Sequence, residues 1–237
     1  MKVLIVGGSG YVGSILRPAL EAEHDCRCFD ARQGDWPAER TVVGDVHDDD
    51  TVRRAVHGMD AVLYLAMGAR RDRLFVHHID LAFSVNVAGA YRFLRRAMSA
   101  GAKRFIYASS LSVFQNASRR AYLDEQMPPD GWNPYSISKR LAEQMLLAGA
   151  PRYPKATILA LRLMWPRNEK DYLDVQHRPD IQSICPLGPG DVRSLFLAAL
   201  NCHKPGCHVV QASGDTQDQR YPNTRITELL GWRPRGD

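Results

Sequence analysis

The chain begins Met1-Lys2-Val3-Leu4-Ile5-Val6-Gly7-Gly8-Ser9-Gly10-Tyr11-Val12-Gly13, and the reading of this stretch decides the fold. Val3 to Val6 is an uninterrupted apolar run, the pattern of a strand buried on both faces of a parallel sheet. Glycines follow at 7, 10 and 13, and an amphipathic segment over 11–23 continues without a break. Each glycine answers a steric demand. Gly7 allows a sharp turn, Gly10 lets backbone approach a pyrophosphate, and Gly13 lets the helix pack close to the strand. The helix start at Tyr11 and Val12 then offers free N–H groups and partial positive charge to that anion. Glycine spacing alone is a weak signal; the strand before it, the helix after it and an acid closing the next strand strengthen it. That acid is Asp30, at the end of Asp25-Cys26-Arg27-Cys28-Phe29-Asp30. A carboxylate there accepts hydrogen bonds from an adenosine ribose and repels a 2′-phosphate. The expected cofactor is therefore NAD in preference to NADP, a preference that nearby Arg32 weakens without overturning.

Outward from this stretch, strand and helix patterns alternate. Strand signals cover 3–6, 25–29, 40–43, 61–65, 104–108 and 157–163; helix-period segments cover 11–23, 48–57, roughly 80–100 and 135–147. Such alternation builds an α/β fold with a doubly wound parallel sheet, a Rossmann fold, with ligands across the carboxyl ends of its strands. Residues 1–163 are expected to form the dinucleotide-binding core and 164–237 a small substrate-binding part interleaved with it in one compact unit. Asp45 and Val46 follow the third strand, where Asp45 can accept from an adenine amino group. Leu65 and Ala66 end the fourth strand, where small residues let the adenosine side of the cofactor lie against backbone. Asn86, inside the long helix, either braces the strand ends through its amide or is an exposed helix asparagine.

Composition excludes several classes. At 237 residues, with 45% hydrophobic and 24% charged content, the chain is an ordinary globule able to bury a sizeable core. The formal charge of +5 is modest, and Arg70-Arg71, Arg95-Arg96 and Arg119-Arg120 are scattered pairs among acids, so no nucleic-acid partner is expected. No apolar run approaches a membrane span, and the first strand leaves no room for a signal peptide, so a cytoplasmic protein without a membrane partner is expected. Five cysteines without framework spacing fit a reducing compartment. Cys202-His203 and Cys207-His208 flank a Lys204-Pro205-Gly206 turn in different elements, and no metal site is expected from them. His77-His78 is read as surface or loop.

The chemistry-bearing residues come next. The fifth strand runs into Ser109-Ser110-Leu111-Ser112, a hydroxyl cluster at the end of a parallel strand where ligands bind. Then comes Asn133-Pro134-Tyr135-Ser136-Ile137-Ser138-Lys139, in which Pro134 suits a helix start and Tyr135 and Lys139 share one helical face. A free phenol titrates near pH 10; a nearby ammonium and the positive nicotinamide ring of an oxidised cofactor favour the phenolate. Half ionisation at neutrality needs about three pK units, or ~4 kcal/mol. A serine hydroxyl can hold the substrate oxygen so that proton and hydride leave together. Tyr-x-x-x-Lys is weak alone and strong downstream of a serine-ended strand and a nucleotide fingerprint.

These pieces resemble the extended short-chain dehydrogenase/reductases, the NAD-dependent epimerase/dehydratase family. The resemblance rests on the stretch at 7–13, Asp30, Gly44-Asp45, Leu65-Ala66, Asn86, Ser109-Ser110, Tyr135 with Lys139, Leu161-Arg162-Leu163 and Gly190-Asp191-Val192, in the family's order. It implies Tyr135 as general acid/base, Lys139 on the nicotinamide ribose and acidifying the tyrosine, and Ser110 orienting the substrate with Ser112 beside it. It also implies a homodimer through the segment 80–100 and the helix beginning at Tyr135, weakly echoed by Ile137, Leu141 and Met145 at helical spacing. Leu111-Ser112 stands where the family's dehydratases carry an Asp-Glu pair, so dehydration is not expected. Fewer than a hundred residues follow Lys139, little for a nucleotide-diphosphate pocket. The end of the chain resembles that of compact uronate dehydrogenases, but the Asn-His pair they place after the serine is absent.

The segment 167–193 is expected to close over the substrate, offering Arg167, Lys170, Tyr172, His177 and Arg178 to a carboxylate or phosphate, with Trp165 lining the pocket or packing in the core. The expected activity is NAD-dependent oxidation or reduction of a small sugar-like or polyol substrate. The alternatives are an epimerase that retains NAD and a non-catalytic dinucleotide sensor.

Overall fold

The computed structural model describes residues 1–68, 79–176 and 178–237; Arg70-Arg71, His77-His78 and His177 lie outside the described residues. Seven parallel strands form one sheet in the order β3-β2-β1-β4-β5-β6-β7. The strands are β1 (Lys2–Val6), β2 (Asp25–Asp30), β3 (Thr41–Val43), β4 (Ala61–Tyr64), β5 (Arg104–Ser110), β6 (Thr157–Leu163) and β7 (Gly206–Ala212). Strand order reverses between β1 and β4, which opens a crevice at their carboxyl ends.

The first strand explains why the sheet is covered on both sides. Val3 and Ile5 enter one core with α1 (Tyr11–Glu23); Leu4 and Val6 enter the other with α2 (Asp49–Val56). A period of two thus sends alternate apolar side chains into two separate layers. The long helical segment after β4 is made of α3 (Ile79–Phe83), a wider π turn (Ser84–Gly89) and α4 (Ala90–Ser99). The turn has a visible cause. The buried hydroxyls of Tyr64 and Tyr107 donate to the carbonyls of Val85 and Asn86 at 2.6 and 3.2 Å, offering those groups partners outside the helix ladder.

On the Leu4 side α4 is joined by α5 (Pro134–Gly149). After β6 the chain forms α6 (Glu169–Gln176) and α7 (Pro179–Gln182), then α8 (Pro189–Leu200), which packs with α1, and α9 (Thr224–Leu230). The residues beyond 163 therefore extend the core, through β7 and α8, as well as bordering the crevice. Asp191 in the first turn of α8 is buried and accepts from the backbone N–H groups of Arg235 and Gly236 at 2.6 and 3.1 Å, which ties the last residues to the sheet layer. No helix among the described residues is long and apolar enough to cross a membrane.

Candidate active site

The floor of the crevice is the turn between β1 and α1. Gly7 has φ +81°, and a Cβ there would stand 2.6 Å from the Ala66 backbone nitrogen; a Cβ at Gly13 would collide with the Gly8 carbonyl. Trp36, buried beyond β2, donates its indole N–H to the Gly8 carbonyl at 3.1 Å and stiffens the turn from behind. The helix start is left open to a ligand. Gly10 brings no side-chain cap to α1 and the first turn holds no acid, whereas Asp48 caps α2 and Asn133 caps α5. The free N–H groups suit a pyrophosphate. Asp30 ends β2 beside the turn, accepting from the Ser9 N–H at 3.1 Å and the Ala31 N–H at 2.8 Å.

Other expected cofactor contacts are distributed less evenly. Val12 and Leu65 border the crevice, and Ala66 lies against Gly7. Asp45 is exposed after β3, where its carboxylate accepts from the His47 N–H at 2.9 Å; Val46 packs beneath, against Gly89. Tyr11 does more than begin a helix. Its hydroxyl donates to Asp171 at 2.5 Å and accepts from the Asn168 N–H at 3.0 Å, tying α1 to α6.

Of its two readings, Asn86 takes the brace and is not an exposed helix asparagine. It is fully buried, its Oδ1 accepts from Gly68 N–H at 3.0 Å and its Nδ2 donates to Ser138 Oγ at 2.9 Å. With its amide spent inside the protein, it braces the end of β4 against α5.

Above the turn opens a cleft of about 1070 Å³ whose wall includes Ser110, Ser112, Tyr135 and Lys139. Three successive β5 residues are held by three residues of α5 spaced one turn apart. Lys139 Nζ donates to the Ala108 carbonyl at 2.7 Å, Ser109 Oγ donates to Glu143 at 2.6 Å, and Ser110 hydrogen-bonds the Tyr135 phenol. The Lys139 ammonium stands 5.7 Å from the Tyr135 ring centre and 4.5 Å from that of Tyr107. Ser110 Oγ also accepts from the Ser112 N–H at 3.1 Å, which turns the chain out of β5. Behind this row lies a buried ion pair that the sequence reading missed: Arg162 of β6 grips Glu143 with two bonds of 3.0 and 2.8 Å. Two signals pointed to it. Glu143 continues the four-residue row of Tyr135 and Lys139, and Arg162 is a lone charge in a strand otherwise patterned for burial.

The electrostatics of the protein alone favour neutral groups in the cleft. Burial pushes Lys139 down to about 7, opposed by Glu143. Burial pushes Tyr135 above its ordinary value, opposed by the hydrogen bond with Ser110. The protein by itself therefore does not acidify the phenol, because taking both groups out of water favours their neutral forms. This has a measurable consequence for stability. Between about pH 7 and the ordinary 10.5, the unfolded chain carries a proton on Lys139 that the folded chain lacks, so this group's contribution to stability rises with pH across that window. The melting temperature of wild type should accordingly rise relative to that of Lys139→Met as pH increases across the window. A pH-independent gap would show that Lys139 keeps its ordinary affinity for protons.

The segment after β6 does not act as expected. Arg178 is exposed and paired with Asp180 at 3.1 Å, away from the residues bordering the cleft. The Tyr172 hydroxyl donates to the Gly236 carbonyl at 2.9 Å, and Lys170 is exposed. The Arg167 guanidinium lies over the Trp165 ring, 3.4 Å from its centre. Trp165 itself does border the cleft, at φ +43° and 40% exposed, and is no core aromatic. Cys202-His203 and Cys207-His208 bracket the turn between α8 and β7; Arg104 engages Cys202 O and His203, and His208 Nε2 meets the Pro205 carbonyl.

A β1–turn–α1 anion cradle below a Ser/Tyr/Lys cleft defines a dinucleotide-binding α/β protein. The family model "NAD dependent epimerase/dehydratase family" matches residues 3–165, and the chain belongs to that family. Its relatives include both epimerases and dehydrogenases. The N-acetyl-alpha-D-glucosaminyl-diphospho-ditrans,octacis-undecaprenol 4-epimerase of Escherichia coli O157:H7 is 34% identical over 145 residues, 61% of this chain and 42% of that protein. A 3-beta-hydroxysteroid dehydrogenase of Mycolicibacterium neoaurum is 33% identical over 62% of this chain and 42% of its own length. The chain thus spans less than half the length of these relatives. The L-arabinose 1-dehydrogenase (NAD(P)(+)) of Haloferax volcanii is 25% identical over 99% of this chain and 96% of its own. Among solved structures, a short-chain dehydrogenase/reductase superfamily protein from Agrobacterium tumefaciens with bound NAD shares the fold at TM-score 0.78, with 21% identity over 99% of this chain and 92% of that one.

Proposed function

We propose that this chain is an NAD-dependent oxidoreductase acting on a hydroxyl or carbonyl of a small sugar-like or polyol substrate, with Ser110, Tyr135 and Lys139 as its working residues. The observation that carries this reading is the joining of Ser110 to the Tyr135 phenol in the cleft that Lys139 borders, above an uncapped helix start. When bound, NAD would supply the hydride acceptor or donor, with the uncapped start of α1 and Asp30 holding its pyrophosphate and adenosine ribose. Tyr135 takes the substrate hydroxyl proton in oxidation and returns it in reduction, and Ser110 orients the oxygen on which that proton sits. Lys139, held by the Ala108 carbonyl, holds the ribose and supports a Tyr135 phenolate once a second positive charge shares the cleft. Full-length similarity to a sugar dehydrogenase and a size close to its own support this reading.

The test is NADH binding by tryptophan quenching, followed by NADH formation from a panel of sugars and polyols. Binding without turnover of any hydroxy substrate would refute it. Asp30 is proposed to set the cofactor preference. Asp30→Asn keeps an acceptor for the Ser9 N–H and removes the charge, so affinity for NADP relative to NAD should rise about tenfold. An unchanged ratio in fluorescence titrations would remove Asp30 from this role.

Similarity to a 4-epimerase supports a second reading, in which NAD is retained and regenerated. NAD that copurifies and survives dialysis, with no net NADH release, would favour it. A homodimer in solution is proposed on the half-exposed Tyr91 of α4 and Leu141 of α5, large apolar side chains on the two helices of the expected interface.

A further inference from the structure

Tyr135 is preceded by Trp132-Asn133-Pro134, and Trp132 is 80% exposed, the most exposed of the large apolar side chains among the described residues. It borders the cleft, as do Trp165 and Met67, both also exposed. An indole in water beside an acid/base residue is an unspent apolar surface facing the reaction volume. The same wall carries Gln115 and Asn116, exposed amides on the loop between β5 and α5, with Asn116 held at φ +52°. That loop is anchored at both ends. Gly131 N–H donates to the Val113 carbonyl at 2.8 Å, Gln115 N–H donates to Asp130 at 2.9 Å, and Ser136 Oγ donates to the Ser112 carbonyl at 2.5 Å. Trp132 and the two amides therefore sit on a fixed frame beside Ser110 and Tyr135.

We infer that the loop 112–133 is the specificity element of this enzyme: Trp132 is the platform on which the flat C–H face of a sugar ring stacks, and Gln115 and Asn116 read its hydroxyls. This rests on the oxidoreductase reading above and adds the substrate class, a cyclic polyhydroxylated ring. A flat apolar platform beside uncharged amide donors and acceptors matches a ring whose faces are C–H and whose rim is hydroxyl. It also moves recognition from the segment after β6 to the loop before Tyr135.

The test is NADH formation from a panel of aldopentoses and aldohexoses, with cyclohexanol and glycerol as controls, using wild type, Trp132→Ala and Trp132→Phe. NADH affinity and melting temperature are measured in parallel. Wild type should turn over at least one aldose and prefer it to both controls. Trp132→Ala should raise KM for that aldose about tenfold and Trp132→Phe should recover most of it, while kcat, NADH affinity and melting temperature stay within about twofold or a degree of wild type. Turnover of an aldose with KM unchanged in Trp132→Ala would overturn the platform and leave the oxidoreductase reading standing. Equal turnover of glycerol or cyclohexanol would overturn the ring-polyol specificity in the same way. No turnover of any panel member by a wild type that binds NADH would overturn both.

Discussion

Tyr135→Phe is expected to lower kcat by about 10³-fold, within the range that a positioned acid/base supplies, while NADH affinity and melting temperature hardly change. The substitution removes one oxygen from a ring set in the cleft wall and leaves the Asn133 cap, Pro134 and the Lys139 bond to the Ala108 carbonyl in place. Ser110 loses its partner on the phenol but keeps its bond from the Ser112 N–H. The separation of effects matters. A fall in kcat with intact cofactor binding is the signature of a group acting on the proton in flight; a parallel loss of NADH affinity would make Tyr135 a binding residue only. Stopped-flow single turnovers with saturating NAD distinguish the two, and retained turnover would remove Tyr135 from the chemistry.

The second large effect concerns stability. Arg162 and Glu143 form a pair whose side chains are 6% and 1% exposed, with Ser109 Oγ donating to the same carboxylate at 2.6 Å. Removing one member strands a buried charge, which costs about 3–5 kcal/mol. For a chain of this size Arg162→Met or Glu143→Gln should lower the melting temperature by roughly 6–20 °C. The double variant Glu143→Met/Arg162→Met replaces ions by apolar groups of similar length and should recover more than half of that loss. Calorimetry on the two single variants and the double variant completes the cycle. Single changes that cost less than about 1 kcal/mol would show that water reaches the pair.

Which features were legible in the sequence follows from how local their causes are. The glycine turn, Asp30 at the end of β2, and the helical register of Tyr135 and Lys139 are each set by a few neighbouring residues, and they lie where the pattern put them. Helix α1 and strand β6 match their expected bounds, because an apolar period and its breakers define both ends. What stayed hidden depends on partners far along the chain. The π turn needs Tyr64 and Tyr107 from two strands, and the burial of Asn86 follows from the same packing. Arg178 looked available for a substrate because its partner Asp180 and its place outside the cleft are not written in its own residue type. For strand β7 only the start, at Cys207-His208 after the turn, was legible, because its first half carries cysteine and histidine in place of an apolar run. The upward push on the Tyr135 phenol in the protein alone was not legible for a related reason: a sequence shows the neighbouring lysine but not how much water both groups lose.

The proposed chemistry requires a Tyr135 phenol that ionises near neutrality only when the oxidised cofactor adds its charge to that of Lys139. The direct measurement is ultraviolet difference titration of tyrosinate in wild type minus Tyr135→Phe, with and without saturating NAD. The expected result is a single titrating phenol that lies above its ordinary value in the free protein and moves below that value, toward neutrality, in the NAD complex. A phenol that stays above its ordinary value with NAD bound would contradict that chemistry.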